Sequence, residues 1–106
     1  MFRAKKEVYN WLESGQKTID VRKGNSFKGQ VAVYLSGRKV LRMWIVKRET
    51  GRLEVIVRSN NFWLVIPLAA TVEDAIDYLH QLYEGYDGTF TAYYVAPFSG
   101  GRAGCG

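Results

Sequence analysis

Between residues 18 and 58 the chain alternates with a period of two, in runs rich in Val, Ile, Leu, Tyr and Trp that Gly24, Gly29, Gly37 and Gly51 interrupt. That period sends successive side chains to opposite faces, which suits a half-buried strand and not a helix. The pattern predicts strands at 18–23, 30–35, 39–48 and 52–58. Ser36-Gly37-Arg38 and Glu49-Thr50-Gly51 are short, turn-forming links, so the last three strands are expected to form an antiparallel meander.

Helical spacing appears on either side of this block. In residues 3–14, Ala4, Val8, Trp11 and Leu12 form one apolar stripe, and Gly15 stands where a helix C-cap would sit. Thr71 is a suitable N-cap, and Glu73 and Asp74 suit the positive end of the helix dipole. That second helix is expected to run to about Tyr83, burying Val72, Ala75, Ile76, Leu79 and Leu82 or Tyr83. Phe62–Ile66 is a short apolar run stopped by Pro67, as at a strand end or sheet edge. A last strand is expected at 89–97, with Phe90, Ala92, Tyr94 and Ala96 on one face. Thr89, Thr91, Tyr93 and Val95 lie on the other, more polar face.

These elements predict one α+β domain over residues 1–98, with about five to six mostly antiparallel strands curled into a small β-barrel and two flanking α-helices. A chain of 106 residues has room for one core. Residues 99–106, with four glycines, are expected to be a disordered tail. No apolar run is long enough to cross a bilayer, and the first residues lack a signal-peptide core, so the cytoplasm is the expected location, with no membrane partner. Cys105 and His80 have no obvious partners, so neither a disulfide nor a metal site is expected, and no cofactor fingerprint is present.

Charge is unevenly spread. Residues 1–61 carry 14 Lys and Arg against 5 acids, a net +9, whereas residues 62–106 carry 1 against 5, a net −4. Clustered cations release condensed counterions when they meet phosphates, so nucleic acid is the natural partner of the first part. Solvated surface charge is the alternative reading.

One strand carries the most specific pattern, Gly15-Gln16-Lys17-Thr18-Ile19-Asp20-Val21-Arg22. Alternation turns Ile19 and Val21 toward a core, and Thr18, Asp20 and Arg22 the other way. Arg22 offers a bidentate fork, Lys17 a point charge, and Asp20 an acceptor for an amine or a cation. Together they could hold a phosphate or a nucleobase edge; alone they would be a surface ion pair. Lys23 and Lys28 continue this basic run. Arg38, Lys39, Arg42 and Arg58 are expected to contact backbone phosphates from the meander, where Trp44 and Tyr34 could interleave as stacking rings. Asn60 and Tyr93 are further candidates for base contacts, although Asn60 also suits a turn and Tyr93 a solvent-flanking position.

The same stretch resembles the ASCH domain, a relative of the PUA domains, whose signature is G-x-K-x-x-[DE]-x-R. Phe27-Lys28-Gly29-Gln30-Val31 is similar to the family's turn into its second strand, and Thr71–Tyr83 and Thr89–Phe98 to its late helix and closing strand. The resemblance covers residues 3–98 and implies a PUA-like β-barrel with a cleft beside the signature strand and a role in binding RNA. Some similar bacterial members remove the acetyl group from N4-acetylcytidine with a lysine, a threonine and a glutamate. Lys17 matches the lysine; Asp20 stands where those enzymes have threonine, and only Glu73 could substitute for the glutamate. An amidohydrolase would therefore rest on Lys17, Asp20 and Glu73, a ribonuclease is a third possibility, and binding without catalysis is the first expectation.

Overall fold

The computed structural model describes residues 2–98, so the glycine-rich tail and Cys105 lie outside the described residues. Among the described residues the chain order is β1 (Phe2–Arg3), α1 (Lys6–Ser14), β2 (Ile19–Lys23), β3 (Val31–Ser36), β4 (Lys39–Gly51), α2 (Leu53–Ile56), α3 (Phe62–Val65), α4 (Val72–Leu82) and β5 (Phe90–Pro97). The strands form one sheet in the order β1-β3-β4-β5-β2, curled into a half-barrel. Only β1 and β3 run parallel.

Capping fixes both principal helices. Gly15 takes the left-handed conformation at φ 86° and its N–H reaches the Leu12 carbonyl, ending α1 where the sequence predicts. At α4 the Thr71 hydroxyl accepts the Asp74 N–H.

The sheet carries a core on each face, the outer one lying over β2 and the first half of β5. Inside the curl, Tyr9 and Leu12 of α1 pack on Ala32, Tyr34, Met43, Ile45, Tyr93 and Val95. Outside, the short helices and α4 press Leu53, Ile56, Val65, Ala75 and Leu79 against Ile19, Val21, Phe90 and Ala92. Burying each aliphatic side chain here contributes roughly 1.5–3 kcal/mol. Among the described residues, no helix is long and apolar enough to cross a membrane.

Several boundaries differ from expectation. Residues 52–58 are not a strand: Leu53, Ile56 and Val57 turn inward at helical spacing, and the chain leaves the sheet as α2. Phe62–Val65 is likewise helical, with Val65 and Ile66 buried and Trp63 exposed. Glu49-Thr50-Gly51 is no hairpin, because β4 continues through it and pairs those residues with Ala92, Thr91 and Phe90 of β5. The three-strand meander is therefore a single hairpin, β3–β4, whose far side meets the last strand. Phe2–Arg3, the latter expected at the helix start, instead pairs with Tyr34 and Leu35. Among the described residues, four helices thus flank the sheet in place of two.

Candidate functional site

The signature residues do converge, but deeper than a surface cleft. Lys17 and Asp20 are only 3% and 4% exposed. Lys17 Nζ donates to the Ile19 carbonyl at 2.8 Å and to the Val65 carbonyl, capping the last turn of α3. Its neighbour Thr18 takes the Leu64 carbonyl through its backbone N–H at 3.1 Å. Lysine thus joins β2 to α3, with one of its three N–H groups left over. Burial pulls its pKa down to about 8, against the attraction of Asp20 and with the help of Arg22.

Asp20 faces the interior of the half-barrel. Its Oδ2 accepts from Arg22 Nε at 2.8 Å and from the Tyr34 hydroxyl at 3.0 Å. Burial pushes the Tyr34 phenol far up, and the adjacent carboxylate pushes it further, so it remains a donor. Arg22 resists burial because Asp20 attracts it and accepts its hydrogen bond, and its pKa rises.

Arg22 also bridges the open seam between the sheet's two edges. Its Nη1 donates to the Arg3 carbonyl at 3.2 Å, and its guanidinium lies 4.2 Å from the centre of the Phe2 ring. Two of its five N–H groups are engaged, which leaves a fork for a ligand.

Beside this group lies a cavity of about 160 Å³. Lys17, Asp20 and Arg22 form its polar wall, Val8, Ile66, Leu79 and Leu82 its apolar wall, and Arg3 and Lys5 also line it. Tyr78 and Tyr83 contribute two rings. Burial raises the Tyr83 phenol to about 12, and its hydroxyl is anchored on the Val21 carbonyl at 3.1 Å. Sequence reasoning missed Arg3, Lys5, Tyr78 and Tyr83, because they come from two distant stretches, residues 3–5 and 78–83, that only the fold assembles. Tyr78 stands on α4 and Tyr83 at its C-cap, where the helical stripe marks Tyr83 as a core residue and gives no sign of a cavity wall.

The other candidates are scattered. Lys6, Arg38 and Lys39 surround a groove where α1 meets the β3–β4 turn, and Lys39 Nζ lies 5.8 Å from the Tyr9 ring centre. Lys28 is exposed in the β2–β3 loop, and Lys23 covers the Tyr86 ring at 4.6 Å. Arg42 and Trp44 do share the outer face of β4, Trp44 stacking on Phe98 at 4.6 Å, but Tyr34 points inward and is fully buried. The expected interleaving with Tyr34 is therefore absent.

Four further candidates lie away from the cavity. Arg58 forks onto Glu49 at 3.0 and 3.2 Å, which satisfies it as an ion pair. Tyr93 is 2% exposed and packs in the barrel interior, so it has no face for an incoming base; β5 is a central strand covered on both sides. Its hydroxyl accepts the Phe27 N–H at 3.2 Å. Asn60 is exposed in a turn that Asn61 closes, accepting from the Arg58 N–H at 2.7 Å and donating to the Ile56 carbonyl at 3.0 Å. Glu73 is exposed on the first turn of α4 and does not line the cavity.

No family model and no curated protein matches the chain. Two solved structures do. The hypothetical protein PH0355 aligns with a TM-score of 0.73 at 14% identity, over 92% of this chain and 96% of that one. ASCH from Zymomonas mobilis aligns with a TM-score of 0.64 at 16% identity, over 90% of this chain and 64% of that one. At these identities the likeness concerns the fold.

Proposed function

From the premise that the chain has an ASCH-like, PUA-like fold, we propose that it binds nucleic acid, RNA in the first instance, by taking one base into the cavity beside Lys17, Asp20 and Arg22. The observation that carries this reading is the combination of size and lining. A void of about 150 Å³ accepts a benzene-sized ring, and this one, of about 160 Å³, matches a single pyrimidine better than a fused purine. Its apolar wall and two tyrosine rings suit a base face, and the spare fork of Arg22 suits a base edge or the adjoining phosphate. Arg3 and Lys5 beside the cavity, with Lys6, Arg38 and Lys39 beyond, supply a cationic path for the backbone.

Fluorescence anisotropy with a labelled single-stranded RNA across a salt series tests this. The logarithm of the affinity should fall linearly with log salt, and Leu82→Trp, which fills the cavity, should weaken binding at least about tenfold while the melting temperature is retained. Absence of any salt-dependent retention would sink the proposal.

One observation favours a second reading, an amidohydrolase acting on an acylated nucleoside. Lys17 sits at the cavity with its pKa near 8, within reach of a base's working range. Against it, Asp20 is committed to Arg22 and Tyr34, and Glu73 is elsewhere. Acetate release from N4-acetylcytidine, abolished in Lys17→Ala, would replace simple binding with this activity.

A further inference from the structure

His80, expected to stand alone on a helix surface, does not. The fold brings Glu54 of α2, His80 of α4 and Asp87 of the α4–β5 loop together, with one possible ligand atom from each lying within 4.8 Å of the others. Three elements separated in sequence contribute one donor apiece, and one donor is an imidazole. From this convergence we propose a surface site for a divalent transition metal, zinc in the first instance, formed by Glu54, His80 and Asp87.

The chemistry of the donors selects the ion. One imidazole nitrogen with two carboxylates suits zinc and its neighbours, whereas magnesium prefers oxygen alone. Ligands bound at about 2.0–2.2 Å in tetrahedral geometry stand roughly 3.4 Å apart, so the three groups must close by little more than about 1 Å. Glu54 and Asp87 are more than half exposed and free to make that movement. Water would complete the coordination.

Arg52 is the competing cation. Its guanidinium lies 3.5 Å from Glu54 and 3.0 Å from Asp87, holding both carboxylates near His80. Entry of the metal transfers the two carboxylates from the guanidinium to the ion, and Arg52, itself well exposed, turns to solvent. The ligand set would also clamp α4, whose other face carries Tyr78, Leu79 and Leu82 into the cavity wall.

Calorimetric titration of the full chain with zinc chloride tests the site. A Cys105→Ser background removes the one thiol as a rival ligand. One equivalent should bind, His80→Ala and Glu54→Gln should each weaken it at least about tenfold, and Arg52→Ala should tighten it by about tenfold. Because His80 is the chain's sole histidine, its ring resonances report the same event directly. No binding at millimolar zinc, binding unaffected by His80→Ala, or weaker binding in Arg52→Ala would each overturn the proposal.

Discussion

The Tyr34 hydroxyl donates to Asp20 at 3.0 Å from inside the half-barrel, so the acidic residue of the signature strand is part of the core's polar framework. The same oxygen accepts from Arg22. Removing it in Asp20→Ala strands a buried phenol and a cation together. A loss of about 2–4 kcal/mol in urea unfolding is expected, with Asp20→Asn, which keeps an acceptor, retaining part of it.

Lys17 gives stability a pH dependence of known sign. Its folded pKa near 8 lies below the ordinary lysine value of 10.5. Between those two values the unfolded chain holds the proton and the folded one does not, so stability rises with pH across that window. The full difference corresponds to about 3 kcal/mol. Tyr34 and Tyr83 act oppositely: their raised values mean that only the unfolded chain ionises above about pH 10. Chemical unfolding followed from pH 7 to 11 should therefore pass through a maximum between about 9 and 10, and Lys17→Met should flatten the rising limb.

Arg22→Lys tests the seam. An ammonium cannot fork between Asp20 and the Arg3 carbonyl while lying on Phe2, so β1 loses its side-chain anchor. The expected cost is about 1–2 kcal/mol. Faster hydrogen exchange is expected at the Ala4 amide, which bonds the Leu35 carbonyl at 2.8 Å; unchanged exchange there would mean that the guanidinium contributes nothing to the closure.

The cations of the basic half should separate in RNA binding. Arg38→Ala and Lys39→Ala should each lower affinity for all sequences and reduce the salt slope by about one. Arg58→Ala should leave the slope unchanged, since Glu49 already neutralises Arg58 and its hydrogen bond is the first cause holding that carboxyl below its usual range. Its effect should be confined to stability, at about 1 kcal/mol or less, because the pair is partly exposed.

The main helices and the signature strand were readable because their signals are local: Gly15, Thr71 and a strong stripe on each helix. The short helices are hidden because Val55, Ile56 and Val57 look strand-like by composition, although Leu53, Ile56 and Val57 stand at helical spacing. Phe62, Val65 and Ile66 repeat that spacing. What alternation could not supply was depth. Lys17 is buried because Val65, far along the chain, offers a carbonyl, and Asp20 because Tyr34 and Arg22 offer donors. Tyr93 lies deeper than its polarity pattern implies because β5 is a central strand covered on both faces there.

The position of β5 governs the order in which the molecule can assemble. It is the last strand in chain order and yet lies between β4 and β2, pairing Ile19 with Tyr94 and Ile45 with Val95. Until it arrives, β3–β4 is a hairpin with an open edge, and β2 has no ladder at all. Contacts so distant in sequence slow folding and prolong exposure of that edge, which makes refolding sensitive to protein concentration.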